Sequence, residues 1–405
     1  MGSSFEGFKR FASMGLCPRL LGWDSEECSP SSKDTNSQIR STMKKHTHTP
    51  IIKESRKSHL IGFGLAALVI VQVVSVRAGP RGYEQVNLVS DLPGIAQLQD
   101  TNLVNAWGIS FSATSPFWVS DNGTGLATLY AVTNDASGSA FVSKLGLQVG
   151  IPGEGNPTGQ VFNNAGGFNG DAFLFVSEDG TISGWRNALG TNAEVLTVRT
   201  GAVYKGVTLA TGPSGPLLLA ANFSEGTIDA YGTNSVLVGQ FSDPLAPEGY
   251  APFNVESVGG MVFVTFAKQD ADKEDDVPGT GHGLIDVFDP GSGTFHRFVT
   301  GSDAGGKLQD ISSPWGIALA PGNFGKHSDQ LLVGNFGSGT IMTFDAKGKF
   351  RGLLLGSDGK PVSIDGLWAL KFGNGGRGGV ADTLYFSAGP EGESHGLFGS
   401  LSPTP

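Results

Sequence analysis

The chain has 405 residues, 62 of them Gly and 21 Pro, with 39% hydrophobic and 16% charged residues. That is enough apolar material for a large core, which excludes a disordered polypeptide, and the glycines follow no Gly-X-Y period, which excludes a collagen-like helix. Residues 1–78 hold 11 Lys/Arg against 6 Asp/Glu, a net of +5, and residues 79–405 hold 16 against 31, a net of −15; an acidic region repels phosphate, so nucleic acid and anionic membrane surfaces are excluded as partners.

Residues 1–59 read as a disordered or basic leader. The first 42 are rich in Ser, Gly and charge without an apolar period, and a basic stretch with Lys44, Lys45, Lys53, Arg56 and Lys57 follows. Translation from Met43 would open on Met-Lys-Lys and give a conventional short basic region. Leu60 to Val76 is a run of 17 uncharged residues, with Val76 and Ala78 spaced for signal-peptidase cleavage after Ala78. The run is at the short limit for a membrane span. Residues 60–78 are therefore expected to be a signal-peptide hydrophobic region, with a membrane anchor or a buried core helix as the other readings. In the first two cases residues 79–405 lie outside the cytoplasm, secreted or anchored, and meet a membrane only through this segment. Both cysteines, Cys17 and Cys28, precede the run, so the region after it has no disulfide framework, thiol nucleophile or Cys-based metal site.

After residue 79 no helical period appears. A strand-pair motif recurs six times between Asn105 and Phe398, about every 50 residues, and a repeat of that length built from short strands means a β-propeller. The clearest copies pair Ala106-Trp-Gly-Ile109 with Phe117-Trp-Val-Ser-Asp121, and Pro314-Trp-Gly-Ile-Ala-Leu319 with Leu331-Leu-Val-Gly-Asn335. The others start at Pro157, Lys205, Phe253 and Leu367. The expected fold is all-β, a six-bladed propeller over residues 79–405 with four antiparallel strands per blade. The last copy has room for three strands, and Tyr83 to Ser90 alternates as a strand should, so this N-terminal strand is expected to close the sixth blade. One interval is longer than the rest because of an acidic insertion, Lys268 to Gly283, between two confident strands.

In a propeller, residues just before each inner strand and residues at the corner between second and third strands converge around one mouth. The first group is Asn105, Asn156, Lys205, Asn254, Ser313 and Asp365. The second is Asp121, Glu178, Asn222, Lys268 and Asn335, with Glu391 or Glu393 at the last corner. Two readings stand. Asp and Asn satisfy local backbone groups at strand corners, so the ring is turn chemistry repeated six times. Alternatively, Glu178, Asn222, Asn254, Asn335 and Asp365 coordinate Ca²⁺ or another divalent cation through oxygen, while Asn105, Asp121, Asn156, Lys268 and His282 contact a ligand. No motif requires a cofactor. Asn122-Gly-Thr and Asn222-Phe-Ser are glycosylation sequons, and a sugar on Asn222 would remove it from the channel.

The acidic insertion has Asp270, Asp272 and Glu274 at alternate positions, but Asp275 stands where an EF-hand loop needs Gly and strands flank it. A solvated loop and a ligand- or ion-binding loop both remain open. His282, between Gly281 and Gly283, is either a turn residue or a ligand contact. His-Glu-x-x-His, Gly-x-Ser-x-Gly and phosphate-cradling loops are absent. Trp107, Trp315 and Trp368 recur at one place in the repeat, as core packing requires.

The paired segments from Pro314 and from Leu331 resemble NHL-type repeats. The stretch from Ala267 to Gly283, followed by Leu-Ile-Asp-Val-Phe-Asp289, with Asn105-Ala-Trp-Gly-Ile109 and Val119-Ser-Asp-Asn-Gly-Thr-Gly125, resembles an uncharacterised family of exported propeller proteins of bacteria and plants, over roughly residues 83–402. The resemblance implies fold and export and carries no activity. Gluconolactonase-like six-bladed enzymes are similar in placing Glu, Asn and Asp around an axial divalent cation, which would act as a Lewis acid on an ester carbonyl. The expectation is a secreted, monomeric scaffold that binds a small molecule or a protein through one face, and the alternative is a metal-dependent lactonase or esterase with its site at the axial channel.

Overall fold

The computed structural model describes residues 82–134, 139–300 and 311–404. The leader and the apolar run at 60–78 lie outside the described residues. Six sheets follow one another along the chain: five have four antiparallel strands, and the last adds the two-residue strand Leu98–Gln99, parallel to its neighbour, to the outer edge of four antiparallel strands. Among the described residues the helical pieces are single 3-10 turns such as Asn122–Thr124. Blade 1 consists of Ala106–Ser110, Phe117–Asp121, Leu126–Asn134 and Ala140–Gly150. The inner strands of blades 2 to 6 are Pro157–Phe162, Tyr204–Gly212, Tyr250–Val258, Pro314–Leu319 and Leu367–Phe372. Each inner strand packs beside the next, and Leu367–Phe372 packs beside Ala106–Ser110, so the ring closes as a six-bladed β-propeller.

At the seam, Tyr83–Ser90 runs antiparallel to Leu397–Pro403, with Tyr83 opposite Pro403 and Ser90 opposite Leu397. The Tyr83 hydroxyl crosses to blade 5 and donates to the Phe324 carbonyl at 2.6 Å. Apolar faces are buried between adjacent blades: Leu174 and Val176 of blade 2 pack with Val207 and Leu218 of blade 3, and Phe263 and Ile285 of blade 4 with Ile317 and Val333 of blade 5.

What positions the site is a bulge near the start of every inner strand. Register shifts between Ala106 and Ile109, Pro157 and Gln160, Tyr204 and Val207, Pro252 and Asn254, Pro314 and Ile317, and Leu367 and Leu370. A bulge re-aims side chains, and here it turns Trp107, Lys205, Phe253, Trp315 and Trp368 toward one another, with Thr158 at the corresponding position of blade 2. In four blades the next residue is Gly. A Cβ on Gly316 would lie 2.5 Å from the Trp368 carbonyl oxygen, and one on Gly108 would lie 2.6 Å from that of Thr158. Glycine is therefore what lets neighbouring inner strands meet at the axis.

Candidate functional site

The axis is filled by aromatic rings. Trp107 stacks on Trp368 at 3.6 Å between centroids, and Phe336 stacks on the same indole at 3.9 Å. Trp315 meets both Trp107 and Trp368 edge-on, and Phe253 lies 5.7 Å from Trp368. Against this plug lies the one charged residue among the six bulge side chains: Lys205 Nζ is 5.2 Å from the centre of the Trp107 ring and 6.0 Å from Phe223, within cation–π range.

Lys205 is 1% exposed, and its ammonium donates to Glu178 Oε1 at 2.5 Å and to Asp275 Oδ1 at 3.1 Å. From Glu178 a side-chain path continues around the mouth. Asn122 Nδ2 donates to Glu178 Oε2 at 3.0 Å, Asn105 Nδ2 donates to Asn122 Oδ1 at 3.2 Å and to Glu393 Oε2 at 2.6 Å, and Trp368 Nε1 donates to Asn105 Oδ1 at 3.1 Å. Blades 6, 1, 2 and 3 and the blade 4 insertion are thus linked in one polar arc above the plug. Asn105 holds φ at 48°, a left-handed conformation that Asn tolerates better than most residues, which turns its amide to both neighbours.

The acidic insertion is a strap. Gln269 bridges Asp276, the Asp270 amide donates to the Asp275 carbonyl and the Val277 amide to the Lys268 carbonyl, both at 2.8 Å. His282 Nδ1 donates to the Val277 carbonyl at 2.8 Å, and a Cβ on Gly279 would lie 2.6 Å from that nitrogen. His282 is therefore a brace under the strap, and the glycine leaves room for its ring. Lys268 ends the strand Met261–Lys268 and anchors the strap through its carbonyl.

Burial pulls the Lys205 pKa down, but Glu178 and Asp275 outweigh it and hold the ammonium above the ordinary lysine value. Burial pushes Glu393 up to about 6, against the bond from Asn105 and the attraction of Lys205. Asp276 is likewise pushed up to about 6 by burial, with the Ser313 hydroxyl and Lys205 pulling the other way. Four carboxyls, Glu178, Asp275, Asp276 and Glu393, therefore share one lysine.

The other sequence-derived candidates sit elsewhere. Asp121 points into blade 1, wholly buried, where burial pushes its carboxyl well up despite Thr128 and nearby Lys144. Asn156 sits at the mouth, but its amide nitrogen faces the carbonyls of Glu154 and Gly155 at 3.1 and 3.2 Å. Each of the five proposed metal ligands accepts at least one hydrogen bond from the protein. Asn222 Oδ1 accepts from Ser224 Oγ at 3.0 Å, Asn254 Oδ1 from the Val255 amide at 2.8 Å, and Asn335 Oδ1 from the Ser312 amide at 3.1 Å. Asp365, exposed at the rim, accepts from the Glu391 amide at 2.8 Å, and Glu178 accepts from Lys205 and Asn122. Among the described residues no group of three or more His, Cys, Asp or Glu side chains is arranged to hold a metal. Asn222 is buried and its nitrogen donates to Asp229 at 3.0 Å, which closes that sequon to a sugar.

The sequence pattern does not single out Asn122, Phe223, Asp275, Asp276 or Phe336, all of which lie at this end of the ring. Asn122, Phe223 and Phe336 each follow a candidate, Asp121, Asn222 or Asn335, and face the mouth in its place. Side chains alternate along a strand, so a one-residue offset turns the choice to the wrong side. Glu178 follows Ser177 in the same register and does face the mouth.

No family model matches the chain. Uncharacterized protein R648 of Acanthamoeba polyphaga mimivirus is 31% identical over 304 residues, 70% of this chain and 72% of the viral protein. Uncharacterized protein L690 of the same virus is 29% identical over 342 residues, 78% and 84% of the two chains. Among solved structures, a streptogramin B lyase is similar with a TM-score of 0.44 and 10% identity, over 80% of this chain and 97% of the lyase. A likeness this remote says nothing about activity.

Proposed function

The chain belongs to the same family as uncharacterized protein R648 of Acanthamoeba polyphaga mimivirus, and we propose that it is a binding propeller that holds a partner on its strap face. The observation that carries this reading is the arc from Glu393 through Asn105, Asn122, Glu178 and Lys205 to Asp275. It fixes carboxylates from separate blades around a single buried ammonium, and Asp275 is 76% exposed above it. A surface with this excess of negative charge favours a partner that presents ammonium or guanidinium groups, through electrostatic complementarity. The apolar run and small residues at 60–78 support action outside the cytoplasm. Binding is preferred to metal-dependent hydrolysis because Asn222, Asn254 and Asn335 are each held by protein groups at both the oxygen and the nitrogen of the amide, which fixes them as local braces.

Titration of a fluorescent lysine-rich peptide, followed by anisotropy, tests the reading against a glutamate-rich peptide of equal length. Saturable, salt-sensitive binding of the basic peptide is expected, weakened about tenfold by Asp275→Asn with Glu391→Gln. Equal binding of both peptides, or binding of neither, would contradict it.

A further inference from the structure

The strap covers one end of the axial channel, and the other end is open. Three residues beyond the bulge positions, the inner strands of blades 1, 3, 4 and 6 bring Ser110, Thr208, Glu256 and Lys371 to a recess of ≈ 260 Å³. Phe111 and Phe162 give it an apolar side. A cavity of ≈ 20 Å³ continues from Glu256 and Lys371 toward Trp315, with residues of all six inner strands around it.

Lys371 Nζ donates to Glu256 Oε1 at 2.9 Å. The pair joins blades 6 and 4, which are not neighbours, so it crosses the channel mouth in front of blade 5. Both side chains are partly open, Lys371 32% and Glu256 23% exposed. Gln160 is fixed in place: its oxygen accepts from Ser110 Oγ at 2.8 Å, and its nitrogen donates to the Gly108 carbonyl at 2.9 Å and to Ser120 Oγ at 3.0 Å. The pair is the charged feature of an otherwise neutral recess. Lys371 uses one of its three ammonium hydrogens on Glu256, and Glu256 one of its two oxygens.

We propose that this recess is a small-molecule site for a zwitterion of amino-acid type, whose carboxylate bonds Lys371, whose ammonium bonds Glu256, and whose side chain lies against Phe111 and Phe162. A ligand with one charge would bond the spare positions of one partner and leave a net charge in a half-buried recess, which is costly. A zwitterion gives each a counter-ion, and the recess stays neutral. A neutral polyol would leave the pair closed and gain little from it. The site is remote from the strap face and stands or falls separately from the partner bound there.

Saturation-transfer NMR and calorimetry on the intact protein with L-leucine test this, with acetate, butylamine and glucose as comparisons. L-Leucine is expected to bind saturably and the other three not. The neutral variant Glu256→Gln with Lys371→Met is expected to weaken L-leucine binding at least about tenfold, and the exchanged pair Glu256→Lys with Lys371→Glu to keep it at an unchanged melting temperature. Binding of acetate, butylamine or glucose as tightly as L-leucine, undiminished L-leucine binding in the neutral variant, or no saturable L-leucine binding to the natural protein would each overturn the assignment.

Discussion

Lys205 is held between Glu178 at 2.5 Å and Asp275 at 3.1 Å with its side chain 1% exposed, whereas Glu178 is 23% exposed. That asymmetry decides which mutation is worse. Glu178→Gln leaves a buried ammonium with one exposed partner and is expected to cost about 2 to 4 kcal/mol, while Lys205→Met packs on Trp107 and leaves carboxyls that either reach water, as Glu178 and Asp275 do, or can take up a proton, as the buried Asp276 and Glu393 can, at a cost of about 1 kcal/mol; urea unfolding of the two variants measures the order. Asp276 and Glu393 give the same region a pH signature. Both carboxyls are raised by burial to about 6 from 3.8 and 4.5, with Lys205, Glu178 and Asp275 around Glu393 and Lys205 and Asp275 around Asp276. The native state therefore holds protons that the unfolded chain releases, so their contribution is greatest below about pH 4 and is lost as pH rises through about 6. Each group should lower stability by about 2 to 3 kcal/mol across that window. Denaturant midpoints between pH 4 and 7 should accordingly fall less steeply in Asp276→Asn with Glu393→Gln, and an unchanged slope would contradict the burial of these groups. Little of this was legible beforehand. Lys205 and Glu178 stood in the expected mouth, but Asp121, Asn222 and Asn335 were one residue out of register, and the sequence pattern does not say which of two adjacent corner residues faces the axis.

At the level of elements, the inner-strand bulge determines where the chemistry sits. It converts a run such as Ala106-Trp-Gly-Ile109 into a strand that places an indole on the axis and then passes close to its neighbour. Gly316→Ala would put a methyl group 2.5 Å from the Trp368 carbonyl oxygen, whereas the Cβ position of Gly146, in the outer strand of blade 1, meets nothing within 4 Å. Gly316→Ala is expected to destabilise by about 2 to 4 kcal/mol and Gly146→Ala by less than about 0.5 kcal/mol, as read by thermal unfolding. The recurrent Trp-Gly pair was visible in the sequence, and its core role follows from stacking at the axis. The strap was visible as an insertion, but its contact with Lys205 spans 70 residues. No local propensity encodes such a contact; it appears only once the ring brings blades 3 and 4 side by side.

For the whole molecule, six repeats and a seam were legible because turn residues and alternating apolar strands are local signals. Residues 83–90 pair with 397–403, so the N-terminal strand covers the edge that the third strand of the last blade would otherwise leave open. The two mouths of the ring were harder to read, since the polar residues of a mouth are also those that corners use. The folded ring presents a plugged, carboxylate-rich end under the strap and an open end crossed by Glu256 and Lys371. Hydrogen–deuterium exchange of the intact protein, with and without a saturating lysine-rich peptide, reports most directly which end receives a partner. Protection is predicted in residues 122–125, 178–180, 268–283 and 389–396; protection confined to the open end, or no change in the strap, would contradict a partner-binding strap face.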